Sequence, residues 1–193
     1  MSGPTAPVEQ EKKEKILEAA KELFSRYGFK KTTVDEMAEA AGISKRTMYA
    51  VFDSKEKMLA ELVMAEALSF RKGLVSQLKT LDDPAEKLRL LCELTRQYFD
   101  ENPFLGQVLA DGARLYTPFL GDEIQLIEEG MREVIARILR EGVQKGAFRD
   151  MEVKATAACV FKLYRGFTYR RAPIDDGNNE WINFILHAIL PKG

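Results

Sequence analysis

Residues Thr32–Lys55 read TTVDEMAEAAGISKRTMYAVFDSK, and this stretch decides the fold of the first part of the chain. Its apolar residues recur three and four positions apart on either side of Gly42, which is the spacing of two short helices. Thr33, followed three residues later by Glu36, has the pattern of a capping box at a helix start. Gly42 can adopt the left-handed conformation that ends this helix, and Ser44 can cap the next one. The stretch therefore predicts a helix-turn-helix.

The composition of the chain is that of an ordinary globular protein. Its 193 residues are 46% hydrophobic and 31% charged, with a formal net charge of −1. A protein that coats nucleic acid without regard to sequence is far more basic, so any DNA contact must come from a local patch. No apolar run resembles a secretory signal or a bilayer span, which predicts a cytoplasmic protein with no membrane partner. Cys92 and Cys159 lie in apolar helical patterns, and we expect two buried thiols rather than a disulfide.

Helical patterns follow one another along the rest of the chain, and no segment alternates convincingly like a strand. The first eight residues are expected to form a disordered tail. Seven further helices are expected at about 9–27, 55–81, 84–101, 104–116, 121–145, 152–170 and 181–189. With the two helices of the motif, the sequence predicts an all-α fold of nine helices.

The motif and its surroundings resemble the tetracycline-repressor-like (TetR) family of bacterial transcription regulators. The residues that carry the resemblance are Leu23, Phe24, Tyr27, Gly28, Phe29, Thr32, Thr33, Val34, Ile43, Ser44, Thr47, Met48, Tyr49, Phe52, Ser54, Lys55 and Glu56. Members often have His where this chain has Val51, so a DNA contact at that position is not implied. The resemblance implies a three-helix DNA-binding domain at residues 9–54 and a helical ligand-binding and dimerisation domain at residues 55–193.

The second helix of such a motif enters the major groove, where its N-terminal residues meet base edges. The residues at that end are Ser44, Lys45, Arg46 and Thr47. Lys45 and Arg46 can donate to guanine O6 and N7. The resemblance implies phosphate contacts from Thr33, Tyr49 and Lys55. The alternatives are core packing for Tyr49 and a solvated helix end for Lys55, whereas Met48 and Phe52 are expected in the core.

A single recognition helix contacts few base pairs, so a homodimer that reads two half-sites is expected. In the family, two helices of each subunit form a four-helix bundle, and the last two helices of this chain supply apolar candidates for it. These dimer candidates are Phe161, Phe167, Trp181, Ile185 and Ile189. The alternative is that these residues only close the core of the monomer.

The resemblance also implies a cavity for a small-molecule effector among the helices from about residue 55 to residue 145. The candidate ligand-binding residues are Thr95, Tyr98, Asp111, Arg114, Tyr116, Phe161, Tyr164 and Arg165. Apolar walls with a few polar groups favour a hydrophobic or amphipathic ligand, and an Arg can pair with a carboxylate. The alternative for each residue is an ordinary place in the core or on the surface.

The sequence offers little support for an enzyme. His187 is the single histidine, and no metal-ligand spacing, Gly-rich phosphate loop or nucleophile–histidine pair is evident, so no metal, cofactor or catalytic residue is expected. A ligand-binding or scaffolding protein without DNA binding is the other alternative. The resulting hypothesis is a ligand-responsive regulator, in the family's usual mode a repressor, which binds a near-palindromic double-stranded operator. Ligand binding would shift the long helix that begins near Lys55 and so change the spacing of the recognition helices.

Overall fold

The computed structural model describes residues 5–115, 117–169 and 180–191, except for the side chains of 5–9, 107 and 111–117. Within these ranges the chain forms nine helices and no strand, which confirms the all-α prediction. The helices are α1 (Thr5–Tyr27), α2 (Val34–Ala40), α3 (Lys45–Val51), α4 (Lys55–Leu78), α5 (Pro84–Glu101), α6 (Pro103–Leu115), α7 (Thr117–Gln144), α8 (Val153–Thr168) and α9 (Glu180–Ile189).

Two helices begin earlier than the sequence analysis predicted. α1 begins at Thr5, so residues 5–8 are helical although they were assigned to a disordered tail. α7 begins at Thr117, before Pro118, rather than near Gly121. In both helices a proline, Pro7 or Pro118, lies in the first turn, where backbone N–H groups have no partner within the helix. Proline therefore costs no hydrogen bond there, and both helices can begin before it.

The contacts among residues divide the chain into two compact units, one up to Glu66 and one from Ala67 onward. Since α4 contributes to both units, the functional boundary expected between residues 54 and 55 stays a prediction. No helix in the described ranges is both long and apolar enough to cross a bilayer.

Local caps shape the first unit. The hydroxyl of Thr33 accepts a hydrogen bond of 3.2 Å from the Glu36 backbone N–H, and the Glu36 carboxylate accepts one of 2.7 Å from the Thr33 N–H, which confirms the capping box. Gly42 has a φ of +66°, the left-handed conformation predicted for it. Ser44 caps α3, as predicted. These caps end α2 and start α3 within a few residues and so form the turn of the motif.

The core of the first unit lies beneath α2 and α3. Met48 and Phe52, which the sequence placed in the core, are buried, and this prediction is confirmed. They share that core with Ile16, Phe24, Met37, Met58 and Leu59. The buried face of α3 therefore holds the helix by apolar burial, and its opposite face is left for contacts outside the unit.

In the second unit, α7 packs against α5, α6 and α8. Gly146 ends α7 with a φ of +69°, and the chain then folds back, so that the Phe148 N–H donates to the Gly142 carbonyl at 3.0 Å. The ring of Phe148 is buried against Gly142. The Lys87 ammonium lies 2.6 Å from the Glu141 carboxylate and joins α5 to the end of α7.

The two cysteines differ in exposure. Cys92 is buried in α5, as expected, and burial raises the pKa of its thiol. Cys159 is exposed, contrary to the expectation of a buried thiol. The cause is the direction of α8, which buries Ala157, Val160 and Phe161 and turns Cys159 to the surface.

Candidate nucleic-acid interface and effector site

The cap and first turn of α3 carry the four residues predicted at base edges. Ser44 Oγ accepts from the Thr47 backbone N–H at 3.1 Å, and the two hydroxyl oxygens of Ser44 and Thr47 are 2.8 Å apart. Both hydroxyls are therefore engaged with each other, and one of them accepts where the other donates. They stabilise the start of the helix. The methyl group of Thr47 can still make an apolar contact with the methyl group of a thymine.

The cations of α3 differ in their partners. The Lys45 ammonium forms an ion pair with Asp35, a residue of the first turn of α2. Arg46 is exposed and has no hydrogen-bond or ion-pair partner among the described residues. Tyr49 is exposed over 48% of its surface. Arg46 and Tyr49 are thus the recognition-helix side chains most available to a partner, and the alternative of core packing for Tyr49 loses its support.

Thr33 already uses both of its donors within the capping box. Its backbone N–H and its hydroxyl both donate to Glu36, at 2.7 Å and 2.8 Å. The hydrogen bonds from Thr33, the backbone one foremost, lower the pKa of the Glu36 carboxyl. A phosphate at this helix end would have to displace the Glu36 carboxylate or bind beside it.

Lys55 points back toward the end of the α1–α2 connection. Its ammonium donates to the Phe29 carbonyl at 2.9 Å and to the Thr32 carbonyl at 3.0 Å, and it lies 4.3 Å from the centre of the Phe29 ring. Two of its three N–H donors are therefore occupied by the chain itself. These contacts favour a role for Lys55 in holding the α1–α2 connection in place over the phosphate contact that the resemblance implied.

Two of the predicted effector residues satisfy each other in the core of the second unit. The hydroxyl of Tyr164 donates to Thr95 Oγ1 at 2.9 Å, and Thr95 in turn donates to the Leu91 carbonyl at 2.7 Å. Both side chains are buried. Burial raises the pKa of Tyr164 well above its ordinary value, so the hydroxyl stays protonated. The structure thus joins α5 and α8 by a buried hydrogen bond between these two predicted effector residues.

Three of the remaining predicted effector residues have described side chains, and each makes a different contact. Phe161 is buried, Arg165 forms an ion pair of 3.2 Å with Glu128, and Tyr98 packs on Phe70 with ring centres 4.4 Å apart. Asp111, Arg114 and Tyr116 lie outside the described side chains. Tyr98 also lines a groove of about 420 Å³ between α4 and α5, together with Ser69, Phe70, Gly73, Leu74, Gln77, Leu94, Gln97 and Glu101.

Arg132 of α7 is a further residue of interest, for which the sequence predicted no role; its side chain is 40% exposed, and its Nη2 atom lies 3.9 Å from the Glu129 carboxylate. Its guanidinium carbon lies 5.7 Å from the centre of the Phe161 ring, and its Nε atom is buried with no hydrogen-bond partner among the described residues. A buried N–H without a partner destabilises a fold until a ligand or water accepts its hydrogen bond. The sequence held no signal for this atom, because helical spacing does not show which atoms of a partly exposed arginine are covered.

Three of the five predicted dimer residues belong to the core of the single chain. Phe161, Ile185 and Ile189 are buried in the second unit. Phe167 and Trp181 are half-exposed and stack across α8 and α9, with ring centres 5.2 Å apart.

The missed residue on this side of the molecule is Phe184, which is 68% exposed. Seven of the ten residues of α9 are apolar, and the polar residues Glu180, Asn183 and His187 recur at helical spacing on the face that carries Phe184. That polar spacing is the signal that could have placed Phe184 on the exposed face. Phe184 lies one turn from Trp181, and Leu163 of α8 is exposed as well. The exposed apolar face of α8 and α9 is thus formed by Leu163, Phe167, Trp181 and Phe184.

Comparison with known proteins gives concordant matches. Residues 16–62 match the family described as "Bacterial regulatory proteins, tetR family". The transcriptional repressor KstR2 of Mycolicibacterium smegmatis is 30% identical over 169 residues, which cover 86% of this chain and 79% of that protein. The regulator YfiR of Bacillus subtilis is 30% identical over 159 residues, which cover 76% of this chain and 72% of that protein.

Solved structures share the fold. The transcriptional regulator FadR from Bacillus subtilis, in complex with stearoyl-CoA, matches with a TM-score of 0.73 and 22% identity over 90% of this chain and 95% of that one. A TetR transcription regulator from Haloarcula marismortui matches with a TM-score of 0.80 and 20% identity over 94% of this chain and all, 100%, of that one.

Proposed function

This chain belongs to the tetR family of bacterial regulatory proteins and is a transcriptional regulator rather than an enzyme, and we propose that it represses transcription as a homodimer on a near-palindromic operator. The observation that carries the proposal is the first turn of α3, where Arg46 is exposed and unpaired among the described residues while Met48, on the same short helix, is buried. A rigidly held helix with a free guanidinium at its N-terminal end is suited to reading guanine in the major groove.

We assign the base contacts to Arg46, Lys45 and Thr47, with Ser44 as the cap that orders them. Tyr49 is assigned to a phosphate, because its exposed hydroxyl can donate without sequence preference. Thr33 can meet a phosphate at the N-terminus of α2, where the helix dipole favours an anion. Lys55 is assigned to the support of this surface, since its ammonium is bound to two backbone carbonyls.

The dimer is proposed to form through the exposed apolar face of α8 and α9. Phe184 is exposed over 68% of its surface, and the Phe167–Trp181 stack continues the face across both helices. A half-site contacted by one short helix gives little specificity, so two-fold pairing also follows from the function. Because Phe161, Ile185 and Ile189 are buried, we assign them to the core beneath this face.

We propose that a small hydrophobic or amphipathic effector releases the repressor from DNA. The buried Nε–H of Arg132, beside the Phe161 ring, offers a donor to an acidic or carbonyl group. The stearoyl-CoA bound by the Bacillus subtilis FadR is amphipathic, but that likeness concerns the fold alone. α4 runs unbroken from Lys55 to Leu78, so a ligand that displaces its C-terminal half can alter the spacing of the two recognition helices.

The experiment that tests this function is a gel-shift titration of the purified protein on the DNA flanking its own gene, at physiological salt. Excess competitor DNA separates specific from non-specific binding. A protein–DNA complex that persists in excess competitor DNA supports sequence-specific binding and hence the proposed regulator. No binding to any flanking DNA, with a folded protein, would favour instead a ligand-binding protein that has lost DNA binding.

A further inference from the structure

The recognition helix is joined to the helix before it by one ion pair. The Lys45 ammonium lies 2.9 Å from each carboxylate oxygen of Asp35. Lys45 is the first residue of α3, and Asp35 lies in the first turn of α2. Both side chains are largely exposed, at 52% and 68%. The pair therefore spans the turn of the motif on the surface that carries Arg46 and Tyr49.

Among the described residues, Lys45 is the one cation that contacts the Asp35 carboxylate. The first turn of a helix stabilises a negative charge through its free N–H groups. The hydrogen bond to Asp35 raises the pKa of Lys45, so the ammonium is charged at neutral pH. The neighbouring acid Glu36 is occupied by Thr33 in the capping box. Glu39, one helical turn after Asp35, is exposed and has no side-chain partner among the described residues.

We propose that Asp35 is a positioning residue that gives Lys45 its base specificity. An ammonium has three N–H donors, and a carboxylate that holds it leaves at least one donor for guanine O6 or N7. An unpaired lysine has a flexible stem and can reach many phosphates equally well. Held by Asp35, the same ammonium points in one direction. The inference rests on the proposed DNA-binding function and adds a residue of α2 to the specificity of α3.

The net charge of the Asp35–Lys45 pair also favours specific over non-specific DNA binding. A lysine that contacts phosphate releases counterions and strengthens binding to every DNA sequence. The Asp35–Lys45 pair is neutral as a unit and contributes little of this non-specific attraction. Loss of the carboxylate therefore has two consequences: non-specific binding becomes tighter, and the directed contact to one base is lost.

The test compares Asp35→Asn with Glu39→Gln, which removes an equal charge from the same helix without touching Lys45. Binding is measured on a random-sequence duplex of about 30 base pairs and on operator duplexes that the wild type selects from a random library. Both variants should bind the random duplex more tightly, by roughly two- to five-fold. Glu39→Gln should bind the operator more tightly by the same factor as the random duplex. Only Asp35→Asn should lower the preference for operator over random DNA, by roughly five-fold, with a changed base preference at one position of each half-site.

The same substitution in a Lys45→Met background separates positioning from simple repulsion. There Asp35→Asn should leave the base preference unchanged, because the side chain that it positions is absent. The inference is overturned if Asp35→Asn behaves like Glu39→Gln on both duplexes, or if its effect on base preference persists without Lys45. Either result leaves the proposed function standing, provided that the wild type selects an operator. Failure of the wild type to select any operator contradicts both.

Discussion

The ammonium of Lys55, the first residue of α4, donates a hydrogen bond of 3.0 Å to the carbonyl of Thr32, the residue that precedes the cap of α2. The same ammonium binds the Phe29 carbonyl, so the start of α4 and the end of the α1–α2 connection are held together by one charged group. Any displacement of the first turn of α4 therefore acts directly on the backbone beside Thr33.

Substitution of Lys55 by Met should destabilise the DNA-binding unit. Two charge-assisted hydrogen bonds are lost, and we expect the free energy of unfolding to fall by about 1–2 kcal/mol. The slope of log K against log salt for DNA binding should stay as in the wild type, because a group bound to carbonyls releases no counterion from phosphate. Lys57→Met, an exposed lysine on the same turn, is the control for stability. An unchanged stability together with a shallower slope would assign Lys55 to a phosphate instead.

Gly142 should tolerate no side chain. A Cβ at this position would overlap the ring of Phe148, which is only 2% exposed. We expect Gly142→Ala to lower the free energy of unfolding by about 1–3 kcal/mol. The matched substitution Gly73→Ala, in α4, meets open space and should stabilise the helix by about 0.5–1 kcal/mol. Urea unfolding of both variants measures the difference, and equal stabilities would contradict the packing of Phe148 on Gly142.

The stability of the protein should decrease in mild alkali because of Cys92. Burial raises the pKa of this thiol, so the folded state holds its proton more tightly than the unfolded chain does. The stabilisation is complete below the unfolded pKa of about 8.5 and is lost as the pH rises above it, by about 1.4 kcal/mol per pH unit. In Cys92→Ala the slope of unfolding free energy between about pH 8.5 and pH 10 should be shallower. Cys159→Ala, at an exposed position, should leave the slope unchanged, and a reversal of the two results would refute the assignment.

Phe184 should be required for dimer formation. Because an aromatic anchor at the centre of an interface commonly contributes 2 kcal/mol or more, Phe184→Glu should weaken the dimer by roughly 30-fold or more. Sedimentation at a series of concentrations gives the dissociation constant. Leu126→Glu, which alters an apolar residue of α7 that is 55% exposed, should leave the dimer intact. Equal effects of both substitutions would argue against this face.

Arg46 and Tyr49 should affect DNA binding in different ways. Arg46→Ala should cost about 1–3 kcal/mol at one base pair of each half-site and relax the preference there. Tyr49→Phe should weaken binding to every sequence by a similar, smaller amount, about 0.5–1.5 kcal/mol. Affinities for a set of single-base operator variants distinguish the two patterns. If the preference changed with Tyr49→Phe and not with Arg46→Ala, the base and phosphate assignments would have to be exchanged.

Features that depend on neighbours in the chain were predictable from the sequence. The capping box of Thr33 and Glu36, the left-handed Gly42 and the cap at Ser44 each involve groups within three residues of one another, so the sequence specifies both partners. The burial of Met48 follows from helical spacing for the same reason. Proline was the exception, because Pro118 begins a helix as readily as it ends one.

The sequence by itself determined the all-α class and the position of the motif with its two cations, Lys45 and Arg46, since these follow from short-range periodicity and capping. Only the tertiary structure decided that Lys45 is held by Asp35, which leaves Arg46 as the cation without a partner among the described residues, and that Lys55 binds Thr32. These relationships join residues whose distance depends on how helices cross. They are not encoded in the spacing of residues along one helix, because packing between helices selects them.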